Sequence, residues 1–394
     1  SSVKKGKRDV SKIYQKMSHI EHVLKKPDSY VGSTENEETE QFVLDDSDVS
    51  NIKIVKKTFN YCPGFYKCFD ELLVNAFDHS KRQENRIKNG DVTTIPVTNI
   101  KVDIDLEENT ITVFNDGDGI DIQKLPKYNI YPPELIFGTL LTSTNYDDSE
   151  KRIWGGKNGY GAKLANIFAE YMTVETVDKS QGKKFKQTFR KNMSERDKPL
   201  ITTFSGKPYT KIIWKPDFKR FNLKGLDADH VALMKKRVYD IAACTKRTIN
   251  VFLNKNKIPH KSFEKYIDLF IGDRKEKERV YQEGNGWQVV ATYNNNDTFE
   301  QVSFVNGVNT TRGGKHVDYI VDQIKDKLAE LIKKKKKVNV KTAYVKTQLM
   351  VFVNSTIVNP TFDGQTKETL KTNKNKFEYY IDLTNKFMDK LYKT

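Results

Sequence analysis

What this chain lacks narrows it before any motif is read. No run of about 18 apolar residues occurs, so no bilayer-spanning helix is expected. Cysteine is scarce: Cys62, Cys68 and Cys244 are the three in 394 residues, and none forms a C-x-x-C pair. That spacing argues against a disulfide framework or a cysteine zinc site and fits a reducing compartment. Ser1–Lys7 is basic and lacks the apolar stretch of a secretory leader, and the chain opens without Met, which suggests a piece of a longer protein. No repeat of about 20–50 residues is visible. Low complexity is confined to Asn294–Asn296 and the lysines Lys333–Lys337. The G-x-x-x-x-G-K-[ST] spacing of a Walker A loop is missing, as is a dinucleotide fingerprint inside a βαβ unit.

What is present describes a folded, basic protein. Hydrophobic residues make up 37% and aromatics 11%, too many for a disordered chain, and the length predicts two domains. Lys and Arg number 68 against 52 acidic residues, a net +16 that points to a polyanionic partner, nucleic acid before an anionic membrane surface, with a lysine-rich, solvated surface as the plain alternative.

Residues 1–30 read as an amino-terminal arm, with Ile13, Met17, Ile20 and Val23-Leu24 at helical spacing before Pro27. Residues 46–63 are mixed. After Pro63-Gly64 a helix is expected: Phe65, Phe69, Leu72, Leu73, Ala76 and Phe77 form an apolar stripe, while Glu71, Asn75 and Asp78 share another face. Lys101–Leu106 and Thr110–Phe114 alternate around a short turn, the pattern of a hairpin, and run into Asn115-Asp116-Gly117-Asp118-Gly119. A helix over 134–141 precedes a polar stretch, then the glycine-rich Gly155–Lys163 and a short helix. Strands over 172–177, 184–189, 201–204 and 210–214 complete an α+β fold, a two-layer sandwich. Past 221–229, a helix over 229–244, strands over 249–253, 288–293, 302–305 and 349–353, and a long helix from His316 toward Lys333 predict a second, mixed α/β domain.

Three features could carry chemistry. Glu71 could take a proton from water, and the amide oxygen of Asn75 could ligate Mg²⁺, although a solvated helix face would look the same. Asp116-Gly117-Asp118-Gly119 lets backbone approach a flat ring while a carboxylate accepts from an exocyclic amine; a plain Asp-Gly turn is the rival. Phe114 and Leu125, at the first and twelfth positions, argue against a calcium loop. Gly155–Lys163 can cradle phosphates with backbone amides, with Lys157 and Lys163 adding charge.

The order of these features resembles the GHKL ATPases: a helix with Glu and Asn, a strand with Asp-x-Gly-x-Gly, then a glycine-rich loop and helix. Glu-Leu-Leu-Val-Asn-Ala (71–76), Leu-Leu-Thr-Ser-Thr-Asn-Tyr-Asp-Asp (140–148) and Gly-Gly-Lys-Asn-Gly-Tyr-Gly-Ala-Lys (155–163) are similar to the amino-terminal region of eukaryotic-type topoisomerase II. Ile-Tyr-Gln-Lys (13–16), Pro-Asp-Ser-Tyr-Val-Gly-Ser (27–33), Tyr-Thr-Lys-Ile (209–212), Ser-Phe-Val-Asn (303–306) and Gln-Thr-Lys-Glu (365–368) extend the resemblance over almost the whole chain.

The resemblance implies a strap over 1–30, a GHKL (Bergerat) ATPase domain over 31–225, and a transducer of ribosomal S5 domain 2-like fold over 226–394. It implies ATP and Mg²⁺, with Glu71 as general base and Asn75 as metal ligand. Nucleotide contacts are expected from Asn115, Asp116, Ile120, Ile136, Phe137, Ser143, Thr144, Asn145, Lys157, Asn158, Gly159, Tyr160, Gly161, Ala162, Lys163, Thr210 and Ile212. Gln365 and Lys367 would reach the γ-phosphate, and Tyr14 the partner protomer's nucleotide. It further implies an ATP-dependent homodimer, a nuclear enzyme acting on double-stranded DNA without sequence readout, and a cleavage core that this stretch does not contain. Lys333, Lys334, Lys335, Lys336 and Lys337, in a segment with nine lysines over 325–346, would face that DNA. Departures are Phe77 and His79 in the Glu-Asn helix, Thr144 for a serine, Lys157 for an arginine, and an insertion-like stretch over 89–98. A chaperone-type or mismatch-repair-type ATPase clamp, or a nucleotide-dependent DNA clamp that never hydrolyses, are the alternatives.

Overall fold

The computed structural model describes residues 19–140 and 161–394. Helix α1 (Pro63–Lys88) begins where the sequence predicts, with Pro63 in its first turn, where no backbone N–H is needed, and Arg86 and Lys88 in its last turn. Its apolar stripe is buried: Phe65, Phe69 and Leu73 are fully enclosed, each contributing about 1.5–3 kcal/mol of burial. Among the described residues, further α-helices include α2 (Pro132–Gly138), α3 (Gly161–Ile167), α4 (Ala228–Cys244), α5 (Phe263–Ile271), α6 (Lys315–Lys336), α7 (Thr342–Thr347) and α8 (Asn385–Lys393).

Among the described residues three sheets carry these helices. An antiparallel pair, β1 (Glu37–Asp45) and β2 (Lys53–Tyr61), packs Val43, Phe59 and Tyr61 on Leu233 of α4. The large sheet holds β3 (Asn99–Asp105), β4 (Thr110–Asp116), β5 (Ala169–Asp178), β6 (Lys183–Arg190), β7 (Glu195–Arg196), β8 (Leu200–Thr203), β9 (Tyr209–Pro216), β10 (Asn250–Leu253) and β11 (Asn256–Lys257). Its order is β11-β10-β3-β4-β9-β5-β6-β7, with β8 beside β6. Helices α1, α3 and α4 supply the covering side chains, and the indole of Trp214 stacks on Phe65 while donating to Ala165 O at 2.9 Å. The third sheet, β12 (Val280–Gly284), β13 (Trp287–Tyr293), β14 (Glu300–Val305), β15 (Val308–Asn309) and β16 (Leu349–Ser355), runs β12-β13-β16-β14-β15. It shares a second core with α6 and α8, centred on Trp287, Ile320 and Phe387.

The architecture is the α+β arrangement expected. Strand β10 pairs parallel with β3, so chain beyond residue 225 completes the large sheet and its core. The long helix also runs further than its apolar spacing predicts. Lys333, Lys334, Lys335 and Lys336 form the last turn of α6, with Lys337 in the left-handed conformation, rather than following the helix end. Four lysines there suit the negative end of the helix dipole.

Candidate active site

Helix α1 and the large sheet enclose a cavity of about 1200 Å³. Leu72, Asn75, Ala76 and His79 form one wall, at the i, i+3, i+4, i+7 spacing that shares a helix face. Across from them stand Val113 and Asn115 of β4 and their register partners Ile212 and Thr210 of β9. Asp118, Ile120, Ile136, Phe137 and Ala162 complete this part of the lining. Eight of the expected residues therefore meet in one cavity: Asn75, Asn115, Ile120, Ile136, Phe137, Ala162, Thr210 and Ile212.

Asp116 does not join them. Strand residues alternate sides, so the face that shows Val113 and Asn115 to the cavity turns Asp116 away. Its carboxylate accepts from Thr98 N (2.7 Å), Thr98 Oγ1 (2.5 Å), Asn99 N (2.8 Å) and Asn99 Nδ2 (2.8 Å). With four donors on it, this carboxylate is a staple between β4 and the end of the insertion-like stretch. Asn115 is the polar group of β4 on the cavity side.

Asp118 extends the staple, accepting from Ile95 N at 2.9 Å and Gln83 Nε2 at 2.6 Å. Gly117, at φ +84°, leaves no space for a side chain, since a Cβ would come within 2.9 Å of Val97. His79 Nε2 lies 2.7 Å from Asp118 O, an acceptor, so this nitrogen carries the proton. Burial, with Arg82 adding repulsion, pushes the ring down to about 4 and keeps it neutral.

Glu71 does not line the cavity but sits one turn before Asn75, and its surroundings are the most highly charged of the site. Lys67 Nζ is 2.8 Å from Glu71 Oε1. Burial pulls the Glu71 carboxyl up, but Lys67, Lys367 and the Lys67 hydrogen bond outweigh it and hold it at about 2. Lys67 is likewise lowered by burial yet raised overall by Glu71 and Asp70. Gly161 presses on the same carboxylate: a Cβ there would fall 2.0 Å from Glu71 Oε2, so only glycine allows the approach.

Lys367 arrives from the far end of the chain, at φ +55° in a turn closed by Lys367 N to Gly364 O. Burial lowers its ammonium, and the Glu71 charge opposes that. Gln365, in the same turn, is exposed and does not line the cavity. Lys163 is almost fully buried, which pushes it down to about 8, and it too lies off the cavity lining. Tyr14, Ser143, Thr144, Asn145, Lys157, Asn158, Gly159 and Tyr160 fall outside the described residues. Lys333, Lys334, Lys335, Lys336 and Lys337 are exposed on α6 and its end, away from this site's lining. Of the five, Lys335 leans on α8, its Nζ 4.7 Å from the centre of the Tyr392 ring.

Sequence reasoning overlooked Lys67; His79 and Asp118 were singled out, as a departure in the Glu-Asn helix and within the glycine motif, but not as nucleotide contacts. Lys67 was detectable, standing four residues before Glu71, one turn away on the same face.

Comparison with known proteins matches this layout. The family model described as histidine kinase-, DNA gyrase B-, and HSP90-like ATPase covers residues 63–193, and that of DNA gyrase B covers 248–394. A probable DNA topoisomerase 2 of Dictyostelium discoideum is 44% identical over 99% of this chain and 25% of its own length. DNA topoisomerase 2-alpha of Gallus gallus is 43% identical over 96% of this chain and 24% of its own. The crystal structure of the ATPase region of Saccharomyces cerevisiae topoisomerase II is 41% identical, with a TM-score of 0.85, covering 95% of this chain and 94% of that one. This chain thus spans about a quarter of the length of the curated relatives it matches. Its fold, its cavity and these identities together make the chain a member of the DNA topoisomerase 2 family.

Proposed function

We propose that the chain binds ATP in the α1–β4–β9 cavity and hydrolyses it, serving as the ATP-operated gate of a type IIA topoisomerase. The observation that carries this reading is Glu71 held between Lys67 and Lys367 at the edge of a cavity that Asn75 and Asn115 line. In this reading Asn115 and Thr210 meet the base, Ile120, Ile136, Phe137 and Ile212 pack on it, and Gly161 and Ala162 approach the phosphates. Tyr14, Ser143–Asn145 and Lys157–Tyr160 would add contacts from outside the described residues. Lys163 and Gln365 keep their expected phosphate roles as proposals.

Mg²⁺ fits as a companion of the phosphates. Among the described residues no cluster of three His, Cys, Asp or Glu could cage a metal alone, and Mg²⁺ characteristically takes few protein ligands plus phosphate oxygens. Asn75, exposed on the cavity wall, offers the hard oxygen it needs, and the ion would offset phosphate charge.

Glu71 would take the proton of the attacking water. At about 2 it is a weak base, and this explains why a second partner matters. A polyanion beside Glu71 that draws Lys367 onto its terminal phosphate removes one stabilising cation and adds repulsion. Both effects raise the Glu71 carboxyl toward useful basicity, while the lysine offsets charge on the phosphoryl group in flight. Base strength then depends on nucleotide being present.

In the longer protein we assign two such chains a clamp that closes on ATP, with residues 1–30 as strap, 31–225 as ATPase domain and 226–394 as transducer. Double-stranded DNA is the expected cargo and the nucleus the expected place. Lys333, Lys334, Lys335, Lys336 and Lys337 would touch its phosphates; replacing all five by Gln should lower the salt-dependence slope of DNA binding by about 4, and an unchanged slope would remove them from the interface. Phosphate release with and without DNA, beside light scattering with a non-hydrolysable ATP analogue, tests the whole reading. Hydrolysis and a doubling of mass are expected. A chain that neither hydrolyses nor dimerises with nucleotide contradicts it.

A further inference from the structure

A second group of charges lies behind Glu71, and the site as described makes no use of it. Arg237 of α4 is fully buried. Its Nε lies 2.5 Å from Asp70 Oδ1, the residue preceding Glu71 on α1. One of its terminal nitrogens donates to Gly307 O at 2.7 Å, in the turn between β14 and β15, and the other lies 3.6 Å from Asp240 Oδ2. Asp240 already has Lys236 Nζ at 3.0 Å and the Tyr266 hydroxyl as partners. Charge neutralisation at Asp240 therefore does not depend on Arg237, and the guanidinium is left to tie α1 to a turn of the other sheet.

That turn leads back to Glu71. Gly307, at φ +81°, rests on α1 so closely that a Cβ would fall 2.3 Å from the Phe77 ring. Its neighbour Asn306 is bonded to Ile357 twice, donating from Nδ2 to Ile357 O at 2.8 Å and accepting from Ile357 N at 3.0 Å. From Ile357 the chain enters a hairpin in which Lys371 N donates to Thr361 O at 2.8 Å and Asp363 N to Thr369 O at 3.1 Å, and Lys367 stands at its tip. Lys367 acts electrostatically on Glu71. The contacts form a closed ring: Glu71 and Asp70, Arg237, Gly307, Asn306, Ile357, Lys367, Glu71.

We infer that Arg237 is a positioning residue for hydrolysis, fixing the Lys367 hairpin against Glu71 by anchoring the Gly307 turn to α1. The inference rests on the ATPase reading above. Arginine suits the task because two separate nitrogens of its rigid planar fork reach the Asp70 carboxylate and the Gly307 carbonyl, a spacing that the single nitrogen of a lysine does not reproduce.

Arg237→Lys tests it, since the charge stays and the fork is lost; complete removal could unfold the chain. Steady-state hydrolysis per nucleotide-binding site should lose about tenfold or more in kcat with KM within about twofold of wild type. Amide exchange over 357–367 should accelerate in the same variant without nucleotide. Adding Arg237→Lys to Lys367→Ala should change kcat less than about twofold, because both act through one contact. Unchanged kcat per site and unchanged exchange over 357–367 would overturn the inference and leave Arg237 a buried counter-ion, even if the variant melts earlier. Multiplying effects in the double variant would overturn it too. If the wild-type chain releases no phosphate, the hydrolytic reading fails, and the exchange measurement alone decides whether Arg237 holds the hairpin.

Discussion

Asp70 and Glu71 are adjacent carboxylates on one helix, about 100° apart around its axis, and they meet opposite surroundings. Asp70 faces the buried fork of Arg237, whose other contacts are with Gly307 O and Asp240, all groups of the fold itself. Glu71 faces Lys67, Lys367 and the backbone of Gly161, beside an open cavity. One carboxylate is balanced by a partner that nothing entering the cavity can reach. The other is balanced by cations that an incoming polyanion can claim. Residue type tells them apart poorly; what can be withdrawn from each does so well.

The largest way to sharpen this contrast is to remove each partner in turn. Arg237→Met leaves the part-buried Asp70 carboxylate without its guanidinium and should cost about 3 kcal/mol of stability in denaturant unfolding, the low end of the loss for a broken buried pair. Lys67→Met should cost less than half of that, because Glu71 keeps Lys367 as a second stabilising charge. Equal losses would erase the distinction. Gly161→Ala is the next step down. Its Cβ, 2.0 Å from Glu71 Oε2, must displace the carboxylate, so kcat should fall up to about a hundredfold while the melting temperature changes little. A variant with wild-type kcat would place Glu71 outside the reacting geometry.

A smaller effect probes a buried histidine beside the third sheet, away from the cavity lining. His316 is fully enclosed, with Nε2 2.9 Å from Thr310 Oγ1, and burial pushes it down to about 3. In the unfolded chain it titrates near 6.5, so below that pH the unfolded state binds the extra proton. The stability it confers is complete above pH 6.5 and is lost as pH falls toward 3, at no more than about 1.4 kcal/mol per unit. His316→Gln should flatten the fall in stability between pH 6 and pH 4 without altering hydrolysis. An unchanged pH slope would mean that this histidine is already protonated in the fold.

The sequence made α1 legible because its stripe and its polar face separate cleanly at helical spacing. The hairpin β3–β4 was legible for the same reason at period two, and that period, applied one residue further, would also have turned Asp116 away from the cavity. Helices α5 and α8 left signals that went unread: Ser262 and Thr384 each accept from the backbone N–H three residues on, ahead of short apolar stripes. The pair β1–β2 is harder, because Glu37–Gln41 and Lys56–Thr58 are mostly solvent-facing and their alternation is faint. Lys367 beside Glu71 is not a local property at all. It depends on the packing of the third sheet against α1, and only the resemblance of Gln-Thr-Lys to its family pointed there.

Everything proposed for the site turns on Glu71 as the base. Phosphate release by Glu71→Gln against wild type, with nucleotide affinity measured in parallel, tests it most directly. The account predicts an unimpaired Kd and turnover reduced by about 10² to 10⁴. Turnover within about tenfold of wild type, at similar affinity, would contradict it.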